Sequence, residues 1–143
     1  MTKAETAALK TMTPEQLIEG FVREAKLEGM GTSIGTVREM NEHGAKSYAY
    51  LDEIGSRGGL QSLIPLLDLR DDWIAYRTAS RLARHDETKD RAMATLDRLA
   101  DSEGVASGEA DRARNMIRYG DPLGDPVEVE KERAANPARY GRA

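Results

Sequence analysis

Residues 58–85, GGLQSLIPLLDLRDDWIAYRTASRLARH, constrain the fold of this chain more than any other stretch. Leu60, Leu63, Ile64, Leu66 and Leu67 are too dense for a surface helix with one wet face, so this first half predicts a helix buried on most sides. Pro65 inside it removes a backbone donor and should kink it. Asp68-Leu69-Arg70-Asp71-Asp72 then forms a polar turn, and Asp71 or Asp72 can cap the helix that follows. That helix carries Ile74, Thr78, Ala79, Leu82 and Ala83 on one face, with small residues that allow close packing. The segment is therefore read as two antiparallel helices sharing their apolar sides with neighbours.

The flanking sequence follows the same period. Thr13, Pro14 and Gln16 mark a helix start, and Leu17, Ile18, Phe21, Val22 and Ala25 form one stripe. Gly29 and Gly31 offer a stop. A second helix is expected over about 33–54, with Val37, Met40, Gly44, Tyr48 and Leu51 along one face. Gly44 in mid-helix costs about 1 kcal/mol relative to alanine, so on the apolar stripe it suggests either a close approach by a neighbour or a break into two shorter helices. Further helices are expected at about 88–100, with Ala92, Met93, Leu96 and Leu99 inward, and from Ser107 to a stop at Gly120, with Ala110, Ala113, Met116 and Ile117 inward. No segment alternates with the period of two that strands require. The reading is an all-α fold of about six helices. It divides into a frayed N-terminus (1–12), one helical domain (13–119) and a polar Pro/Gly-containing tail (120–143) with a short helix at about 127–135.

The run Leu63-Ile64-Pro65-Leu66-Leu67-Asp68, a short turn, then Ile74 and Thr78-Ala79 resembles a HEAT repeat, and residues 88–119 look like a second, degenerate hairpin. The resemblance implies a short right-handed α-α superhelix of HEAT or armadillo type. HEAT repeats often carry an arginine just after the apolar residue that opens the second helix; Ala75 stands there, so an Asp–Arg brace across the turn is in question. With Thr13-Pro14-Glu15-Gln16-Leu17, Phe21-Val22 and the long second helix, residues 13–119 also resemble a bacterial family of small helical domains of unknown function. That resemblance implies a stand-alone binding module, and small HEAT-like bacterial proteins include immunity and adaptor partners.

Composition narrows the function classes. The 143 residues contain no cysteine, which excludes disulfides, thiolate metal sites and cysteine nucleophiles. A net charge of −4 weighs against broad phosphate-backbone binding. No apolar run is long enough to span a bilayer and the N-terminal stretch lacks a signal-type apolar region, so the expected location is the cytoplasm. His85, Asp86 and Asp90 lack metal-ligand spacing, and Asp68, Asp71 and Asp72 lack the glycine and distal glutamate of a calcium loop. Glycines 29, 31 and 35 follow no strand, and no serine sits in a nucleophile elbow. The expectation is a protein that is not an enzyme and holds no cofactor or metal.

What remains is the face of the helix after Asp72. Trp73, Arg77, Ser80, Arg81 and Arg84 fall on one side of it, and Arg112, Asn115 and Arg118 lie on the polar side of the last helix. Tryptophan and arginine are frequent interface anchors. These residues are the candidate site for a protein partner; nucleic acid bound through the arginine stripe is the alternative, and a small helical enzyme using His43 or His85 is a third. Short helical stacks also expose two apolar ends, which makes a homodimer a further option.

Overall fold

The computed structural model describes residues 1–140, and of residues 32–34, 139 and 140 the backbone alone. Gly141, counted in the tail, lies outside the described residues. The described chain is all-helical: α1 (Lys3–Leu9), α2 (Pro14–Ile34), α3 (Val37–Ser56), a 3-10 helix (Leu60–Asp68), α4 (Asp72–Leu82), α5 (Lys89–Ala100), α6 (Ser107–Tyr119), α7 (Pro126–Ala135) and α8 (Pro137–Tyr140). Eight α-helices replace the expected six. The expected six include residues 60–68, and the short helix expected at about 127–135 forms as α7, so the unexpected helices are α1 and α8, one at each end. Residues 3–9, expected to fray, form α1, capped by Thr2 and seated through buried Leu9. Arg57 at the end of α3 clamps it by donating to the carbonyls of Met12 (2.7 Å), Leu9 (2.9 Å) and Lys10 (3.2 Å).

Local chemistry sets the helix starts. Thr13 and Gln16 form a reciprocal capping box at α2: Gln16 N donates to Thr13 Oγ1 (3.2 Å), and Thr13 N donates to Gln16 Oε1 (2.9 Å). Asp71 Oδ1 accepts from the amides of Trp73 and Ile74, both at 3.0 Å, and starts α4. Asp71→Ala is expected to lower stability by about 1 kcal/mol in a urea titration, because two amides at the end of a half-buried turn lose their acceptor. Ser107, where α6 begins as expected, gives its helix no side-chain cap and donates its hydroxyl to Ala100 O (3.1 Å), which ties α6 to the end of α5. Gly120 ends α6 in the left-handed region (φ 70°), as its position predicts.

Two glycines expected to stop α2, at 29 and 31, lie within it, and the helix continues to residue 34. The proline-containing segment is corrected more strongly. Residues 60–68 wind as a 3-10 helix, consistent with the missing Pro65 donor. Only Leu63 and Leu67 are fully buried, with Leu60, Ile64 and Leu66 half-buried, so this helix lies on the domain and is not enclosed by it. It still doubles back onto α4: Gln61 reaches Glu87 (2.6 Å) beyond the far end of α4, while residues 69–71 join the near ends.

The core runs through the stack. Leu17, Phe21 and Ala25 of α2 meet Leu51 and Ile54 of α3, then Leu63 and Leu67, Ile74, Ala79 and Leu82 of α4, and Ala92, Leu96 and Leu99 of α5. The face predicted for α4 is buried throughout. Two faces differ from expectation. On α3, Tyr50 is buried and Val37 and Tyr48 are exposed; on α6, Met116 is exposed. The helices pair as antiparallel hairpins. Gly20 stands opposite Tyr50 and Gly31 opposite Met40 across α2 and α3; Asp97 of α5 reaches Arg118 of α6 (2.7 Å). α3 and α4 run in the same direction, since Tyr48 meets Arg77 and Asp52 meets Arg81.

Candidate interaction site on α3 and α4

Where α2, α3 and α4 meet, the interior is ionic. Glu28 of α2 lies three residues after Ala25 and seven after Phe21, so helical geometry carries it onto the apolar stripe, and it is 3% exposed. A buried carboxylate is strongly unfavourable unless paired and hydrogen-bonded. Three donors from α4 meet this one. Trp73 Nε1 (2.5 Å) and Arg77 Nε (2.7 Å) donate to Oε1, and Arg77 Nη2 (2.6 Å) donates to Oε2. The guanidinium grips both oxygens, the geometry that makes Arg–carboxylate pairs strong. Burial by itself would lower the Arg77 pKa; the hydrogen bond and charge of Glu28 outweigh it and raise the pKa above the ordinary arginine value.

Gly44 makes room for this pair. A Cβ at residue 44 would overlap Glu28 Oε2 and stand 3.1 Å from its Cδ. The close approach that a mid-helix glycine implies is therefore made by a carboxylate from the next helix. One turn earlier on α2, Glu24 is also buried, and its Oε2 lies 2.7 Å from His43 Nδ1.

From this anchor the network climbs to the surface. Arg77 Nη1 donates to the Tyr48 hydroxyl, and the Arg77 guanidinium lies 4.7 Å from the centroid of the Tyr48 ring. Arg81 lies 5.9 Å from the same ring and donates to Asp52 Oδ1 (2.7 Å). Tyr48 is 42% exposed, so it is a surface aromatic held from below by two cations. Beside it on α4, burial holds the Tyr76 phenol above its ordinary pKa, with the positive charge of Arg77 opposing the shift.

The candidate residues thus divide. Trp73 and Arg77, expected on an outer face, are interior, because α2 covers the first half of α4. Arg81 is largely covered, and Arg84, past the end of α4, is exposed. Asn115 is also corrected to the interior, where its amide donates to Pro122 O (3.2 Å) and fixes the turn after α6. Arg112 pairs with Glu109 (2.8 Å) and Arg118 with Asp97 (2.7 Å) on the surface of α6. The structure therefore brings Trp73, Arg77 and Arg81 together with Tyr48, and leaves Arg112 and Arg118 in separate local pairs. Glu28 is absent from the sequence reading, and Tyr48 is placed there on the apolar face of α3 and not in the site. The available signal was a glutamate in register with Leu17, Phe21 and Ala25, opposite a helix with a glycine in its middle.

His85, Asp86 and Asp90 are exposed. Among the described residues no group of three or more histidines and carboxylates is placed to hold a metal, and no helix is long and apolar enough to cross a membrane. No family model, curated protein or solved structure matches the chain.

Proposed function

We propose that this protein is a non-enzymatic protein-binding module, a short HEAT-like right-handed stack of helical hairpins, of the kind that serves as an adaptor or an immunity partner. Its contact surface is the α3–α4 face around Tyr48, Arg81 and Arg84. The observation that carries the reading is the state of Tyr48: exposed, yet fixed by Arg77, which is itself fixed by buried Glu28. A surface aromatic ordered before binding loses little entropy when a partner covers it, and tyrosine and arginine dominate interface energetics.

A protein partner is favoured over nucleic acid by the ion pairs. Arg77, Arg81, Arg112 and Arg118 are each matched to a carboxylate, and of the candidate arginines only Arg84 makes no ion pair among the described residues. Backbone binding to nucleic acid depends on unmatched cations that release counterions.

A photocrosslinking residue at position 84, in the source cell, is expected to capture a protein. With that protein purified, Tyr48→Ala and Arg81→Ala should each weaken binding at least about tenfold, and Arg112→Ala should not. Unchanged affinity in both variants, with helicity retained, would remove this face from consideration. Salt-sensitive binding to oligonucleotides at low ionic strength would support the nucleic-acid reading instead.

A further inference from the structure

The 3-10 helix carries more apolar surface than the domain covers. Leu63 and Leu67 are buried, but Ile64 stays half-buried on the side toward α5. Gln61 meets Glu87 just ahead of α5, and Leu67 meets Arg98 near the end of α5, so the two helices run in the same direction with a groove between them. The groove holds about 450 Å³, and Ile64, Leu67 and Ala94 form its apolar floor. Arg91 and Arg98 stand at its two ends. They are seven residues apart on α5, which puts them on one face about 10 Å apart along the axis. Ala94 falls between them and is too short to fill the space. Neither arginine makes an ion pair among the described residues, whereas Arg77 and Arg81 of α4 and Arg112, Arg114 and Arg118 of α6 are each matched to a carboxylate of the chain. Arg98 is nonetheless held in place, since its Nη2 donates to Leu67 O (2.9 Å). Asp68, on the same rim, also makes no ion pair among the described residues.

We propose that this groove docks an amphipathic helix of a protein partner, one whose apolar stripe is flanked by carboxylates seven residues apart. The stripe covers Ile64 and Leu67, and the carboxylates meet Arg91 and Arg98. Equal seven-residue spacings coincide when two helices lie nearly parallel or antiparallel, the usual arrangement for a helix laid in a groove. Charge complementarity names the occupant: two cations left unmatched at the ends of an apolar floor call for acidic groups on either side of an apolar face. Asp68 favours a peptide over a phosphate backbone, because a protein helix can bring a cation to it and a row of phosphates is repelled by it. The groove shares no residue with the contact surface on α3 and α4.

The probe is a fluorescein-labelled model helix of about 18 residues, long enough to be helical in water, with a leucine stripe flanked by glutamates at seven-residue spacing. A control probe carries lysine in place of every glutamate. Both are titrated with the full-length protein by fluorescence anisotropy at about 50 mM salt, where surface charges are only partly screened. The glutamate probe is expected to saturate with a Kd below about 100 µM, and the lysine probe to bind at least about tenfold more weakly. Arg91→Glu and Ala94→Glu should each weaken the glutamate probe at least about fivefold. Both side chains are exposed, so the thermal transition should stay in place. Arg81→Ala, on the other face, should bind as the wild type does. No saturation, equal affinity for the two probes, or unchanged affinity in both groove variants overturns the proposal. So does a duplex oligonucleotide that binds more tightly than the glutamate probe and is released by Arg91→Glu, since the groove would then belong to nucleic acid.

Discussion

Replacing Glu28 by alanine is expected to lower the stability of the fold by about 3–5 kcal/mol, the range for removing one partner of a buried ion pair. The loss exceeds that of the pair itself. Arg77 would remain mostly buried with its charge unmatched, and Trp73 Nε1 would lose its acceptor. Urea or thermal denaturation gives the magnitude. Emission from Trp73, the single tryptophan, should change as well, because its indole nitrogen donates to Glu28. A loss below about 1 kcal/mol would mean that the pair behaves as an exposed one and that the seam between α2 and α4 is wet.

Gly44→Ala is expected to destabilise by about 2–4 kcal/mol, against the direction of helix propensity. In an open mid-helix position the change would stabilise by about 1 kcal/mol. Here the new methyl overlaps Glu28 Oε2, and three hydrogen bonds hold that carboxylate in place, so it cannot swing aside without leaving Arg77. The two substitutions are therefore coupled. Once Glu28→Ala has emptied the space, Gly44→Ala should become neutral or mildly stabilising, and the double variant should be well short of the sum. Additive losses would show that residue 44 senses something other than the carboxylate.

Much of the fold was legible in the sequence because its signals are local. The Thr13–Gln16 box, the Asp71 cap, the buried face of α4 and the Gly120 stop each depend on residues within one or two turns. What escaped depends on neighbours distant in sequence. On α3, Tyr48 and Tyr50 have the same chemistry two residues apart, and only the position of α2 decides that Tyr50 goes in and Tyr48 out. Glu28 reads as a polar interruption of an apolar stripe until α4 supplies its donors. The Trp73–Arg77–Arg81–Arg84 stripe is legible as one face, but its cover is not, since a helical period says nothing about which end a neighbour overlies. Met116 matched the inward period of α6 and is exposed, because no further helix of the domain packs beyond it.

The Arg57 clamp separates the first helix from the rest of the architecture. Its guanidinium gathers the carbonyls at the end of α1, Leu9 is the one residue of that helix fully enclosed, and nearer the start the link to α3 is a 3.9 Å contact between Glu5 and Lys46. α1 is thus moored at its trailing end like a boat on a short line. An affinity tag or fluorescent fusion joined ahead of Met1 would pull on that mooring, not on the hairpins that carry Tyr48 and the Glu28–Arg77 seam.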